Sequence, residues 1–426
     1  MTQRIMLWYR NDLRVADHEA LHCAAIEGAQ ILPVYIDSCA PDRYELPCHA
    51  IPGFRRKFRL ESLRALDQQW RDWNSSLVVM NGEPEQVIPL LCAKYQINAV
   101  FLNAEASHDE ARQYAQVAHQ LQSAHISCTV FHGAPLIHPD DLPFELRDLP
   151  DIFTQYRKIV EARLFVRACF PIPTAVQVLP HNEAPFEPDF PETIADVRSA
   201  LPFHGGESAG QARLHDYLWK SDLLCTYKET RNGLIGTDYS SKFSAWLASG
   251  CITPRQVFHE VRRYESERVA NDSTYWMIFE LLWRDYFRLV MEKFGTTMFS
   301  LDGISRRSTR RSWRRDSADF QEWASGKTGN RFIDANMREL LLTGFMSNRG
   351  RQNVASYFVH ELGLDWRLGA QYFEAALVDY DVYSNWGNWA YLAGVGNDPR
   401  ENRQFNITRQ ANTYDPTGSY QKLWLD

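Results

Sequence analysis

The sequence lacks the features that mark several common classes of protein. Among its 426 residues no unbroken apolar run reaches about 18 residues, so we expect no transmembrane helix. Neither GxGxxG nor GxxxxGKS/T occurs, which excludes a dinucleotide fingerprint and a P-loop. The formal net charge of −7 argues against coating nucleic acid by bulk attraction, although it leaves room for a local basic patch. The start of the chain has no signal-peptide layout, so we expect a cytoplasmic protein that does not contact membranes.

Cysteine is scattered along the chain. The eight cysteines form no CxxC pair and no cluster with histidine. In a chain of this length they indicate reduced thiols rather than a disulfide framework or a zinc site. We therefore expect no metal centre.

Tryptophan, in contrast, is abundant in the second half of the chain. Ten of the 13 tryptophans follow residue 200. A buried indole N–H needs a hydrogen-bond partner, so tryptophan is costly to bury in such numbers. This enrichment favours an aromatic-lined cofactor site, although a large helical core can also absorb several indoles.

The first part of the chain alternates short β-branched runs with helical patterns. Helical periodicity is clear in 54–73 and 106–123. Nearly all-apolar strands separated by helices predict a doubly wound parallel sheet of five strands, in an α/β domain over residues 1–132. The predicted strands are 4–10, 30–36, 76–82, 98–103 and 126–132.

The composition then changes twice. Residues 133–204 form a long irregular linker, because 11 of the 20 prolines lie between 133 and 202. One helix is expected in it, around 151–169. Residues 205–426 form an all-α domain, with clear helices at 275–295 and at 240–250, the latter capped by its first serines and ended by Gly250.

Four stretches of the helical part carry chemistry. In 226–250 a glycine-rich turn precedes hydroxyl residues and Lys242 at a predicted helix start, which suits phosphate binding, although such serines are usually only caps. ELLWRDYFR (280–288) places Glu280 and Arg284 four residues apart beside Trp283. That spacing fits either an ion pair along the helix or a polar pair lining an indole-walled pocket.

The other two stretches are rich in arginine. In 330–358 the polar run SNRGRQN interrupts helical spacing after Gly344, between two helices. An arginine buried there needs a carboxylate partner, and Asp379 or Asp381 is the natural candidate. RRSTRRSWRR (306–315) contains six arginines, which is either a phosphate-binding patch or a solvated charge run.

Together these four stretches resemble the photolyase/cryptochrome flavoproteins. The segments GFMSNRGRQNVAS, DYDVYSNWGNWAYLAGVGNDPRENRQFN and YDPTGSY are most similar to the DASH cryptochrome branch, and LWYRNDLRVADHEAL resembles the family's first strand and helix. The resemblance covers essentially the whole chain, more loosely through 160–220. It implies an N-terminal domain with an antenna chromophore and a C-terminal helical domain that encloses FAD.

The resemblance also implies roles for individual residues. Arg351 would pair with Asp379, Asp381 would meet the polar edge of the flavin, and Asn385 would face the ring nitrogen that changes protonation on reduction. Glycines 387, 394 and 396 would let the backbone approach cofactor or substrate. The cofactor-binding set is Tyr227, Thr237, Ser240, Ser241, Lys242, Phe243, Ser244, Trp283, Arg284, Asn348, Arg351, Asp379, Asp381 and Asn385.

The tryptophans divide into two groups under this resemblance. Trp389, Trp366 and Trp313 align with the three indoles that pass electrons from the surface to the photoexcited flavin. Trp323 aligns with a further aromatic near that route. Core packing is the expected role of Trp246 and Trp386.

Repair in this family means flipping a cyclobutane pyrimidine dimer into the pocket, where light-excited reduced flavin donates one electron. Tyr391 and Gln352 stand where duplex-acting photolyases carry tryptophan and methionine, so a preference for single-stranded DNA is expected. The catalytic set that the resemblance implies is Trp389, Trp366, Trp313, Asn385 and Glu280. The substrate-binding set is Arg231, Glu280, Trp283, Asn348, Arg349, Gln352 and Tyr391.

The expected antenna is a reduced folate, 5,10-methenyltetrahydrofolate, with Glu105 as a pterin contact. The alternative for Glu105 is an ordinary loop acid. The alternative for the whole protein is a blue-light photoreceptor that binds DNA with little repair. We expect a monomer in either case.

Overall fold

The computed structural model describes residues 2–38, 46, 53–305, 312–397 and 404–426. A parallel sheet with the strand order β3-β2-β1-β4-β5 forms the N-terminal domain, as predicted. One strand was missed, because the two-residue β6 lies in the proline-rich linker and pairs with the start of β2. The strands are β1 (Arg4–Tyr9), β2 (Gln30–Asp37), β3 (Val78–Asn81), β4 (Ala99–Asn103), β5 (Ser127–Phe131) and β6 (Gln177–Val178).

The sheet is covered on both faces. The side chains of β1 alternate, so that Met6 and Trp8 pack under α3 and α4, while Leu7 and Tyr9 join the core shared with the helical domain. The surrounding helices are α1 (Glu19–Ile26), α2 (Phe54–Arg71), α3 (Pro84–Tyr95) and α4 (His108–Ser123). The linker carries the expected helix as the shorter α5 (Phe153–Glu161). The domain boundaries at 132 and 204 stay predictions.

The remainder is helical. Its longest helix, α10, begins with a capping box at Asn271 and ends at Gly295. The helices are α6 (Glu207–His215), α7 (Tyr227–Thr230), α8 (Ser244–Ala248), α9 (Pro254–Glu267), α10 (Asp272–Phe294), α11 (Ser317–Ala324), α12 (Arg331–Thr343), α13 (Asn348–Ser356), α14 (Trp366–Ala376), α15 (Val382–Ala393), α16 (Ile407–Tyr414) and α17 (Ser419–Leu425). Within the described ranges, no helix is long and apolar enough to cross a membrane.

Two details of the helical prediction are corrected. The helix expected over 240–250 is only the five-residue α8, whose first residue follows Phe243 without a side-chain cap. The run SNRGRQN does not lie between helices. Ser347 caps α13 by accepting a hydrogen bond from the Gly350 N–H, so the run forms the first turns of that helix.

Buried charges join the two domains. The Asp17 carboxylate accepts from Arg255 at 2.9 Å, and both side chains are almost fully buried. The Glu207 carboxylate accepts from the backbone N–H groups of Val15 and Ala16, at 2.9 and 3.1 Å. Asp17, Val15 and Ala16 of the loop after β1 therefore each have a polar partner in the helical domain.

Candidate cofactor and substrate site

The inner face of α10 carries Glu280, Trp283 and Arg284. The first of the two readings of this spacing, an ion pair along the helix, is wrong. The Glu280 carboxylate pairs with Arg231 of α7 at 2.7 Å. Arg284 points toward α15, where its guanidinium lies 3.9 Å from the Asp381 carboxylate. Each residue therefore pairs with a residue outside α10 instead of with the other one.

Arg284 is fixed mainly by backbone carbonyls. It donates to the carbonyl oxygens of Ala134 and Leu247, at 3.1 and 3.2 Å. It therefore ties α10 to the linker and to α8. Part of its side chain stays accessible, so the cation is available to a ligand on the same face.

Trp283 stands in an aromatic corner. Its ring lies 6.0 Å from the Tyr391 ring at an interplanar angle of 82°, so the two predicted substrate contacts meet edge to face. Phe153 of α5 stacks on the indole at 3.6 Å and 13°. Phe153 was missed because linker residues show no periodicity that would indicate a partner. One face of Trp283 is thus covered by protein, and Tyr391 stands perpendicular to the ring.

The predicted pair of Arg351 and Asp379 is present. The guanidinium donates to both carboxylate oxygens, at 2.9 and 2.8 Å. The Asp379 side chain is 1% exposed, so its charge depends on this partner. The pair holds the start of α13 against the segment that precedes α15.

The first turn of α15 presents Asp381 and Asn385. Asp381 is the N-cap and accepts from the Ser384 N–H at 2.8 Å. The Asn385 amide donates to the Ala370 carbonyl of α14 at 2.9 Å. That contact fixes the orientation of the amide, and Asn385 is nearly buried.

The hydroxyl-rich stretch ahead of α8 holds a buried cation. Lys242 has a φ of +56°, and its ammonium donates to the Thr237 carbonyl at 2.8 Å and lies 3.5 Å from the centre of the Tyr239 ring. Burial lowers the pKa of Lys242 to about 7, with the nearby Arg213 acting in the same direction. Among the described residues no carboxylate forms an ion pair with Lys242.

Arg213 organises the same stretch from α6. Its guanidinium donates to the carbonyls of Ser241 at 3.0 Å, Ser240 at 3.2 Å and Thr237 at 3.3 Å. This buried residue was missed, since nothing in its sequence surroundings separates it from a surface arginine. Of the remaining predicted phosphate contacts, Tyr227 and Phe243 are buried and Ser244 begins α8.

The predicted electron-transfer tryptophans lie along α14. The Trp389 ring of α15 covers Gly369, one turn after Trp366. Trp366 is fully buried and donates its indole N–H to the Leu301 carbonyl at 3.0 Å. Trp313 is half-buried, and the next residue, Arg314, is bonded to the segment just before α14.

Two further indoles touch this row. Trp386, which was expected to serve packing alone, contacts Trp366 at 5.7 Å between ring centres. Trp323 contacts Trp389 at 6.2 Å. Trp246 packs on Phe58 and donates to the His204 carbonyl, which agrees with a structural role.

The predicted nucleic-acid contacts of α13 lie near the segment that follows α7 and near α16. Arg349 donates to Asn232 at 2.9 Å and lies 4.5 Å from the Tyr414 ring centre. Asn348 is exposed and Gln352 half-buried, both in the first turns of α13. These positions keep the three α13 side chains near solvent.

The arginine-rich run is described only from residue 312, so residues 306–311 lie outside the described ranges. Arg314 pairs with Asp319 and Arg315 with Asp365, each at 2.8 Å. Both charges therefore have acidic neighbours, which weakens the reading of this part as an open phosphate-binding patch.

Glu105 lines a cavity of about 300 Å³ between the two domains. Its carboxylate accepts from the Tyr383 hydroxyl at 2.6 Å and lies 3.4 Å from Arg288. His108, His132 and Glu292 are among the other lining residues. Glu105 therefore has protein partners at the wall of a cavity, and its role as a pterin contact stays a prediction.

The glycines of 387–396 have structural roles, and their expected approach to cofactor or substrate stays a prediction. A Cβ atom on Gly387 would lie 2.8 Å or less from three carbons of Phe287, so this glycine permits close packing of α15 on α10. Gly394 ends α15 with a φ of +76°, and Gly396 packs on the backbone at Tyr391. All three contact protein.

The comparisons with known proteins agree with this architecture. A family model described as DNA photolyase matches residues 5–177, and one described as the FAD binding domain of DNA photolyase matches 276–426. Cryptochrome DASH of Synechocystis sp. is 47% identical over 99% of this chain and 87% of the relative. Cryptochrome DASH of Xenopus laevis is 46% identical over 99% of this chain and 82% of the relative.

This chain belongs to the DASH branch of the photolyase/cryptochrome family. Three solved structures share its fold over the whole chain. The Synechocystis sp. cryptochrome has a TM-score of 0.94 at 45% identity and is covered to 89%. A bacterial class III photolyase from Agrobacterium tumefaciens has a TM-score of 0.85 at 25% identity and is covered to 86%. An archaeal photolyase from Sulfolobus tokodaii, described with two FAD molecules, has a TM-score of 0.78 at 25% identity and is covered to 90%.

The residues of this chain fit the cofactor that its FAD-binding domain implies. Burial raises the pKa of Glu280, and 30% of its side chain is accessible to water, so a ligand can reach the carboxylate. At another point, the buried Lys242 lacks an anionic partner in the described residues, and a phosphate would supply one. Groups of this kind are what a phosphate-bearing cofactor such as FAD requires. No cluster of three metal-ligating side chains occurs in the described parts of the chain.

Proposed function

We propose that this protein is a light-driven, FAD-dependent lyase of cyclobutane pyrimidine dimers that favours single-stranded DNA. The observation that carries the proposal is the corner formed by Glu280, Trp283 and Tyr391. A carboxylate that can accept from a base edge stands beside an aromatic plane and a perpendicular aromatic wall. A flipped-out pyrimidine dimer would use such a combination of a hydrogen-bond acceptor and aromatic surfaces.

The cofactor would be held from two sides. Lys242, Tyr227 and the hydroxyls around α8 would bind the phosphates. Arg284 and the paired Arg351 and Asp379 would face the ring system and its ribityl chain. When bound, reduced and illuminated, FAD supplies the electron that splits the dimer. The full set of residues proposed to bind FAD is Tyr227, Thr237, Ser240, Ser241, Lys242, Phe243, Ser244, Trp283, Arg284, Asn348, Arg351, Asp379, Asp381 and Asn385.

Asn385 and Asp381 would act on the flavin edge. One Asn385 N–H bonds to the Ala370 carbonyl, which leaves the second N–H to donate and the amide oxygen to accept a hydrogen bond from a flavin ring N–H. Trp389, Trp366 and Trp313 would form a donor row that ends at a half-buried indole. Their placement along α14 supports this assignment.

The preference for single strands rests on Tyr391. A phenol gives less stacking area than an indole, and here it meets Trp283 edge to face rather than parallel to it. Unstacking a dimer from a duplex costs a few kcal/mol, and a single strand demands much less. Arg231, Asn348, Arg349 and Gln352 would contact the strand around this corner.

For the antenna we infer a reduced folate, 5,10-methenyltetrahydrofolate, in the interdomain cavity. A pterin needs an acceptor for its amino and ring N–H groups, and Glu105, whose side chain is 7% exposed, provides one in this cavity. The alternative is a flavin, since the Sulfolobus tokodaii photolyase is described with two FAD molecules. Absorbance of the released chromophores, with Glu105→Gln as the test variant, separates the two.

Signalling is the second candidate function. The row of indoles from Trp389 to Trp313, and the relatives named as cryptochromes, favour a photoreceptor driven by flavin photoreduction. Illumination of the reduced protein with dimer-containing single strands and duplexes decides between the two. Loss of dimers under light, absent in the dark and in Trp283→Ala, supports the lyase; no loss in either substrate rejects it.

Glu267→Ala, an exposed glutamate at the end of α9, is the matched control for Glu280→Ala in that assay. The first change should remove dimer repair and the second should not. Light scattering tests the expected monomer, and cell fractionation tests the expected cytoplasmic compartment.

A further inference from the structure

Arg231 and Glu280 are both expected to contact DNA, but here they contact each other. The guanidinium Nη2 lies 2.7 Å from the Glu280 Oε1. Arg231 also lies beside the rings of Tyr227 and Trp276, at 5.8 and 5.9 Å. The cation is therefore held between two aromatic rings and one carboxylate.

The neighbouring acids have other partners. Glu229 accepts from the Ser273 hydroxyl at 2.8 Å, and Asp272 pairs with Lys228 at 2.7 Å. Glu280 is thus the carboxylate that neutralises Arg231. The dependence is mutual, because burial raises the pKa of Glu280 and Arg231 is the charge that opposes this effect.

We propose that Glu280 determines specificity by withholding Arg231 from undamaged strands. The inference rests on the proposed DNA substrate. A phosphate that draws Arg231 away leaves the partly buried Glu280 carboxylate without its cation. An undamaged strand brings phosphate alone, and offers nothing to Glu280 in exchange.

A flipped lesion brings both partners. Its phosphate takes Arg231, while the N–H group of a pyrimidine ring donates to the Glu280 carboxylate and replaces the lost contact. The exchange is therefore favourable for a lesion and unfavourable for an ordinary base that stays stacked. Binding of the pyrimidine N–H by Glu280 therefore makes Arg231 available to the phosphate in the same step.

The test is the binding of undamaged oligo(dA) in the dark by the FAD-loaded protein, because stacked adenines have no ring N–H to offer Glu280. Glu280→Gln keeps the shape and removes the charge, so Arg231 becomes free for phosphate. We expect affinity for undamaged oligo(dA) to rise about tenfold, the effect of one charge-assisted hydrogen bond. The slope of log K against log salt should steepen by about 0.7, as for one more phosphate contact on a single strand.

Glu229→Gln is the matched control, because it makes the same change in net charge one helix turn or less from Arg231 without removing its partner. The double variant Arg231→Ala with Glu280→Gln should lose the gain. Equal affinity for the Glu280→Gln and Glu229→Gln proteins overturns the proposal. So does a gain that survives Arg231→Ala.

These results are separable from the proposed repair activity. A wild-type protein that repairs dimers, with no gain in Glu280→Gln, keeps the lyase and rejects the withholding of Arg231. A wild-type protein without repair, with the gain present, rejects the lyase and keeps the withholding. Flavin absorbance and the unfolding temperature of each variant establish that the fold is intact.

Discussion

Gly369 offers a quantitative test of how Trp389 is seated. It lies inside α14, and the outer ring carbons Cη2, Cζ3 and Cζ2 of Trp389 lie directly over it. A Cβ atom at Gly369 would come within 2.9 Å of all three. Carbon atoms in contact need about 3.5–4.0 Å, so Gly369→Ala must displace the indole or the helix by roughly 1 Å.

Two effects oppose each other in this variant. Overpacking a core costs about 1–3 kcal/mol, while alanine in a helix interior is favoured over glycine by about 1 kcal/mol. The net expectation is a loss of up to about 2 kcal/mol. Phenylalanine lacks the outer ring carbons, so in a Trp389→Phe background the clash disappears and the same change should stabilise by about 1 kcal/mol.

The assay is thermal unfolding of four FAD-loaded proteins: wild type, both single variants and the double variant. For a domain of this size about 1 kcal/mol shifts the unfolding temperature by about 2–4 °C, so a change of sign between backgrounds is measurable. Coupling of about 1–3 kcal/mol between the two sites is expected. An equal effect of Gly369→Ala in both backgrounds refutes the placement of the indole.

Three further predictions follow from the site. Arg351→Ala should lower the free energy of unfolding by about 3 kcal/mol, because it strands the buried Asp379, and the additional change Asp379→Asn should restore part of it in a urea titration. Burial raises the pKa of Glu339 to about 8 from 4.5, so the native state holds a proton that the unfolded chain releases. The free energy of unfolding should therefore fall as pH rises from about 4.5 to about 8. In Glu339→Gln the unfolding temperature should depend less on pH between about 5 and 8.5 than in the wild type. The same pH dependence in both proteins contradicts this. Phe153→Leu should raise KM for the dimer roughly 2–10-fold at unchanged kcat by loosening Trp283, and an unchanged KM contradicts a positioning role.

The spacing of apolar residues along the chain predicted most of the strands and helices. The five strands, α2, α4 and α10 follow from apolar spacing, and the break follows from Gly344, because glycine adopts the positive φ, here +70°, that ends a helix. The cost of a buried cation predicted a carboxylate partner for the arginine but left Asp379 and Asp381 open, and the choice of Asp379 came from the resemblance. The strands, the helices and the break are local features, so the chain itself determines them.

What the sequence could not predict depends on long-range partners. The pairing of β6 with β2 involves two residues in a proline-rich segment, far below any periodic signal. The choice of Arg231 over Arg284 as the partner of Glu280 depends on how α7 approaches α10. Phe153 reaches Trp283 from a segment whose path is set by the packing of both domains.

The buried contact of Asp17 with Arg255 spans 238 residues of sequence. At about 5–20 residues per second, a ribosome needs about 10–50 s to add that length. Throughout this interval the nascent α/β domain carries Asp17 without the Arg255 cation, with the Phe170 backbone N–H as a partner once the linker has been made, so the buried carboxylate is neutralised only after α9 has been synthesised. Expression of residues 1–132 alone should therefore give a chaperone-bound or aggregated product rather than a free domain.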